Sequence, residues 1–305
     1  MASNPSLDRQ TGDFSKATGL DKVRLLLCTN GSKFNRPALE YGVWLAGLLQ
    51  IPVVLLGVIE TPRLQPEVEA YINETAARLA EMGHPYQIDY DQGRGSVVIG
   101  RYTRLGNFIT VVGPLGRPAW RRVVQGRSFR RLLAKIETPI IYVPKTRLPV
   151  RHILVCMGGL GYAQAVLNFV IFLAQAAEAR VTLLHVVEPV SLEYPISRRI
   201  EENWKQILET DTPQGRNLKQ AIEELERAGL TFEFKVRHGN IVHEILTELH
   251  EGDYDLIGMG SHYGFHNLRQ MYLPDVTSEV AEGLSCPVVS VRLGHELIPE
   301  PAKSG

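Results

Sequence analysis

The chain has 305 residues, 44% hydrophobic and 22% charged, and its 33 basic and 33 acidic side chains cancel to a net charge of zero. That length suits about two ordinary domains, and the composition excludes a disordered or fibrous chain. The longest apolar stretch, near Val166–Ala177, is shorter than the roughly 20 residues that span a bilayer, and the polar start Met1–Lys16 has no signal-peptide core, so membrane insertion is not expected.

Residues 1–21 read as a loosely attached tail. VRLLLC (Val23–Cys28) is a continuous apolar strand, Arg36–Leu49 carries a helical stripe, and VVLLGVI (Val53–Ile59) is a second strand. A helix is predicted from Pro66 to Met82, followed by the strand YQIDY and a helix near Ser96–Leu105. FITVV (Phe108–Val112) leads into a glycine loop, a helix over Ala119–Lys135 and the closing strand PIIYVP. After a short junction, Lys145–Arg151, the order repeats. HILVCM (His152–Met157), a helix over Ala163–Ala177 and VTLLHVV (Val181–Val187) come first. A long helical region from Ser191 to Gly229 follows, broken near Thr210–Gly215. Phe232–Val236, a helix at Ile241–His250, LIGM (Leu256–Met259), a helix at Asn267–Leu284 and PVVSVR complete the chain. Apolar strands alternating with helices specify a parallel sheet covered on both faces. The expected fold class is α/β, with domains over 22–148 and 149–293 and a tail over 294–305.

Two stretches support a duplication. Asn107–Lys145 and Tyr254–Arg292 each hold an apolar strand, a glycine loop, an amphipathic helix and a closing strand introduced by proline. Their separation exceeds the roughly 20–50 residues of a solenoid period. Cys28 and Cys156 occupy the same place in the two first strands. With Cys286 they make an odd number without metal-ligand spacing, which favours reduced, buried thiols and a cytoplasmic location. Charge is divided: residues 1–148 hold 20 Lys and Arg against 12 Asp and Glu, while residues 149–305 hold 13 against 21. The basic half is the expected seat of an anionic ligand.

LIGMGSH (Leu256–His262), VTLLHVVE (Val181–Glu188) and the frame Gly113-x2-Gly116-x9-Gly126 resemble the universal stress protein family in its tandem, two-domain form. The resemblance covers about Val23–Arg292. It implies five parallel strands per domain in a Rossmann-like, adenine-nucleotide α-hydrolase-like fold. It also implies closing strands paired across a pseudo-two-fold and, in many members, ATP or another adenine nucleotide as ligand. In such a site an acidic residue ending the first strand and a backbone position ending the second hold the nucleoside. Glycine amides and a following small hydroxyl hold the phosphates.

Carried onto the front half, the resemblance places the nucleoside at Asn30 and Val58 and the phosphates at Gly113, Gly116 and Gly126. Asn30 replaces the family's aspartate, keeping an acceptor oxygen but adding donors. Arg127 stands where the small hydroxyl belongs, with Ser128 one place later. Arg127 either reaches the phosphates or fills their space. In the rear half Gly158 takes the acidic position and Val186 the second. The loop Gly260 to Gly264 is one residue longer, and Pro274-Asp275 replaces Gly-Ser. Proline removes an amide donor and a carboxylate repels phosphate, so the rear site is expected to be degenerate.

No nucleophile elbow or Walker loop is present in the sequence. His262 and His266 stand four apart, a spacing that can share a helix face, but no third ligand accompanies them and no metal is expected. The aromatics near the arginine-rich segment are too few for nucleic-acid stacking. The expected function is a non-catalytic stress-response or regulatory protein with an adenine nucleotide or other anion in the front domain. The alternatives are a structural, partner-binding module with both pockets closed and a weak nucleotide-hydrolysing enzyme. A homodimer through the closing strands and a protein partner are the associations this reading allows.

Overall fold

A computed structural model describes residues 23–115, 128–136, 139–158, 163–188, 204–261, 276–283 and 285–292. The expected tails, Gly116, Gly126, Arg127, Gly264, Pro274 and Asp275 lie outside the described residues.

Ten strands form one sheet. In chain order they are β1 (Val23–Thr29), β2 (Val53–Ile59), β3 (Tyr86–Gln92), β4 (Asn107–Val112), β5 (Ile140–Tyr142), β6 (His152–Cys156), β7 (Arg180–Val187), β8 (Phe232–His238), β9 (Leu256–Ser261) and β10 (Val288–Arg292). The spatial order is β3-β2-β1-β4-β5-β10-β9-β6-β7-β8. Every pairing is parallel except β5 with β10, where Val288 faces Tyr142 and Ser290 faces Ile140. Each half is thus a five-stranded α/β unit, and the junction of the closing strands makes one continuous sheet. Because β5 also pairs with β4 and β10 with β9, neither closing strand has an open edge for a second chain.

The central strands are apolar on both sides because both faces are covered. Leu25 and Leu27 belong to one buried cluster; Leu26 and Cys28 belong to the other. On the first face lie α1 (Arg36–Leu49), α2 (Gln65–Glu81), α5 (Ala163–Ala177) and α6 (Pro213–Arg227). On the second lie α3 (Gly95–Tyr102), α4 (Ser128–Leu133), α7 (Ile241–Glu251) and α8 (Val276–Gly283). The break expected near Thr210–Gly215 is the start of α6: the Thr212 hydroxyl accepts from the Gly215 amide and Pro213 sits in the first turn, where its missing N–H costs nothing. The junction is tied to both halves. Thr146 Oγ1 donates to Glu40 Oε2 at 3.2 Å, and Arg147 Nη1 donates to Tyr254 O at 2.7 Å.

The open edges are β3 and β8, and their charges are exchanged. Asp89 and Asp91 on β3 occupy the register positions of Lys235 and Arg237 on β8, since Asp89 faces Leu56 as Lys235 faces Leu184. Arg101 pairs with Asp91 and the Tyr102 hydroxyl bonds Asp89. At the other edge Glu248, only 2% exposed, accepts from Lys235 Nζ (2.9 Å), Arg237 Nε (2.7 Å) and Tyr254 Oη (2.5 Å). Charged side chains of this kind blunt sheet edges against unwanted strand pairing.

Candidate functional site

The carboxyl ends of β1, β2 and β4 form a rim. Thr29 faces Gly57 and Cys28 faces Val112, so the following residues Asn30, Val58 and Gly113 come together where strand order reverses. That switch point is where open α/β sheets bind ligands. The Val58 side chain is buried in the core, so this position brings its backbone, not its side chain, to the rim.

One residue that sequence reasoning missed organises this rim. Asn35 is fully buried. Its Oδ1 accepts from the Asn30 amide at 2.9 Å and from Thr29 Oγ1 at 3.3 Å, while its Nδ2 donates to Pro114 O at 2.9 Å. It therefore clasps the end of β1 to the loop after β4, 79 residues away in the chain. Gly113 lies against the same segment. A Cβ there would sit 2.8 Å from Phe34 O and 2.9 Å from Asn35 Cα, so no larger residue fits without moving the loop. Gly31 is the other glycine the turn requires, at φ +75° and with a Cβ position 2.9 Å from the Val68 amide. The signal for Asn35 was faint: an asparagine just ahead of Pro37 looks like an ordinary turn residue.

Asn30 is 3% exposed, and its Oδ1 accepts from the Ser32 amide at 3.3 Å. The acceptor that the sequence reading offered to a nucleoside already serves this local turn. Glu60 accepts from the Gly95 amide at 2.8 Å, capping the start of α3. Leu115 approaches the same point, 2.9 Å from a Cβ built on Gly95. Ser128 opens α4, and the neighbouring Phe129 is buried against Tyr142, with ring centroids 4.6 Å apart.

The rear rim differs in ways that the sequence did not reveal. Cys156 faces both Leu184 and Met259, which makes Gly260 the counterpart of Gly113. Gly113 has left the sheet, whereas Gly260 remains inside β9, opposite Val291, with Ser261 opposite Arg292. Its carbonyl also accepts from Thr277 Oγ1 at 2.9 Å. The cause is the closing strand: β10 runs five residues and β5 only three, stopping before Pro144, which has no N–H for the ladder. Gly260, read from the sequence as the start of a degenerate rear loop, thus belongs to β9 itself. Gly158 is exposed with nothing within 4 Å of its Cβ position, so packing does not explain the missing side chain. Val186 is half-buried in β7, opposite Arg237.

His185 lies beneath this rim. Its Nδ1–H donates to Met157 O at 2.7 Å, and burial holds its pKa below the ordinary value despite that bond. His152 is lowered too, by burial and by Arg180 nearby. A base whose folded pKa is depressed binds protons better when unfolded, so it destabilises the fold as pH falls below about 6.5 through the folded value. The melting temperature is expected to fall between pH 7 and pH 5, and His185→Gln to flatten that slope. Thermal melts over a pH series check this, and an unchanged slope in the variant would refute the assignment.

The three cysteines are free, and burial pushes all three thiols upward, Cys286 to about 12. None is a thiolate at neutral pH, so they are not nucleophiles there. Among the described residues no group of three or more His, Cys, Asp or Glu side chains is placed to hold a metal, and no helix is long and apolar enough to cross a membrane. A cleft of about 1050 Å³ borders Pro149, His152, Glu178, Arg180 and Asp255, but it lies at the amino ends of the rear strands. Two of its polar groups are already engaged: Asp255 accepts from the Arg151 and His152 amides, and the His152 ring bonds Asp253 O and Thr182 Oγ1. The rims at the strands' carboxyl ends are the better candidates.

Residues 149–292 match the family model of the universal stress protein family. No curated protein matches the chain. A universal stress protein from Archaeoglobus fulgidus has a similar structure, with a TM-score of 0.64 at 17% identity, covering 89% of this chain and 96% of that one. A functionally unknown protein from Pseudomonas aeruginosa gives a TM-score of 0.66 at 14% identity, covering 89% and 93%. At these identities the likeness is one of fold.

Proposed function

Starting from a rear half that belongs to the universal stress protein family and a front half with the same strand order, we propose that this chain is a non-catalytic stress-response protein of the cytoplasm. Its front half binds an adenine nucleotide or a similar anion, and its rear half serves as a structural partner. The contrast between Gly113 and Gly260 carries this reading. Gly113 sits outside the sheet in a loop held by Asn35, where amides after the strand can turn toward phosphate oxygens. Gly260 keeps its place in the ladder between strands, so this glycine is not released from the sheet as Gly113 is. The family resemblance supplies the ligand class, and the basic surplus of residues 1–148 favours an anion there.

Calorimetry of the full chain with ATP, ADP and AMP tests the proposal. One nucleotide per chain is expected, with binding abolished by Gly116→Val, since a branched side chain in the glycine frame blocks the close approach of phosphate. Binding unchanged by that substitution would refute the site.

A second reading is favoured by Asn30, whose amide oxygen serves Ser32, and by Glu60 and Leu115, which crowd the start of α3. On that reading both rims are closed and the chain acts only through protein contacts. It expects no heat and no thermal shift with any nucleotide.

A further inference from the structure

The four helices on the second face pack in the order α3-α4-α8-α7, and that layer is electrically polarised. Residues 94–107 and 128–136 carry Arg94, Arg101, Arg104, Arg130, Arg131 and Lys135 without an acid, and all six are exposed. Helices α7 and α8 carry five glutamates and no Lys or Arg. The edge strands reduce the imbalance without removing it. With β3 included, the basic end holds six cations against Asp89 and Asp91; with β8 included, the acidic end holds six glutamates against Lys235 and Arg237. The result is a surplus of four charges at each end, of opposite sign. Three large apolar side chains are half or more exposed among the described residues, and two of them, Val97 (50%) and Leu105 (70%), belong to the basic end.

We infer that this face joins two copies of the chain about a two-fold axis lying in the plane of contact. In that arrangement α3 and α4 of one copy cover α7 and α8 of the other, and the same contact is made twice. A two-fold interface is self-complementary and closes, and this charge pattern is complementary to itself only when the copies run in opposite directions. A parallel stack would set like charges together. An anionic membrane or a uniformly acidic protein would be attracted by one end and repelled by the other, so a second copy is the better-matched occupant. Helices about 9–16 Å long and about 10 Å apart offer roughly 500 Å² of face per chain. That is at the lower limit of stable interfaces. Opposed charges at such a surface act mainly within a Debye length of about 8 Å at physiological salt, so the pairing should be salt-sensitive.

Sedimentation of the full chain tests this. The mass of two chains is expected at about 50 mM salt, with a dissociation constant that rises at least about tenfold at about 500 mM. Two charge-reversed chains sharpen the test. Arg104→Glu, Arg131→Glu and Lys135→Glu together take the basic end from +4 to −2, so both ends are acidic. Glu233→Lys, His250→Lys and Glu279→Lys together take the acidic end from −4 to +1, so both ends are basic. All six side chains are exposed, and unchanged circular-dichroism melts would show that each variant folds. Each should be monomeric alone, and an equimolar mixture should regain the two-chain mass. A single-chain mass for the unaltered protein at low salt, a dimer that survives either reversal, or a mixture that stays monomeric would overturn the inference. So would recruitment of a monomer to anionic vesicles through the arginines.

Discussion

Asn35→Ala should destabilise the chain and abolish nucleotide binding in a single step. The substitution removes the partners of the Asn30 amide and the Pro114 carbonyl, both at the buried rim. Orphaning two buried polar groups costs about 2–4 kcal/mol in total, which lowers the melting temperature by roughly 5–15 °C for halves of this size. Without the clasp, the loop carrying Gly113 is no longer held to the end of β1. Calorimetry at a temperature where the variant is still folded separates the two effects. Full nucleotide affinity in a folded Asn35→Ala protein would show that the clasp does not shape the site.

Glu248→Ala should be comparably damaging to stability, but silent for the ligand. Glu248 is nearly enclosed and neutralises Lys235 and Arg237 together. Removing one partner of a buried ion pair costs about 3–5 kcal/mol. Here the cations keep side-chain exposures of 35% and 21%, so partial rehydration brings the expected loss to about 2–3 kcal/mol. The pH dependence has a definite sign. Burial alone would raise the Glu248 pKa, but Tyr254, Lys235 and Arg237 outweigh it and hold it below the ordinary carboxylate range. Its contribution is therefore present above the unfolded value of about 4.3 and lost as pH falls through the folded one. Melts of wild type and variant should differ by a constant amount above about pH 5 and converge in stronger acid. A gap that does not narrow as the solution is acidified below the unfolded value of about 4.3, or a loss of nucleotide binding, would contradict this account.

Together the two substitutions dissect the halves. If the front rim holds the ligand, destabilising the β8 edge should leave calorimetric affinity intact while Asn35→Ala removes it.

Most elements were legible because each follows from local periodicity. VRLLLC, VVLLGVI and VTLLHVV are apolar on consecutive residues, which in strands means burial on both faces, and the structure places β1, β2 and β7 inside the sheet. The helix pattern at Arg36–Leu49 ended where the structure ends α1, at Gln50 in a left-handed conformation. The duplication was legible from the recurrence of glycine and proline at matching places, and the equivalence of Cys28 and Cys156 reappears in their pairing with Val112 and Met259.

Pairings between distant residues were not legible in this way. No local signal distinguishes Asn35 from other turn asparagines, because its importance comes from a carbonyl 79 residues away. Gly260 and Gly113 look alike in sequence and differ only because β10 is long enough to keep Gly260 in register. Glu248 reads as one acid on an amphipathic helix until β8 brings two cations against it. Composition and periodicity by themselves determined two α/β halves and a division of charge between them. Tertiary structure alone decided which glycine stays free and which carboxylate is buried, since both depend on contacts made only after distant strands have aligned.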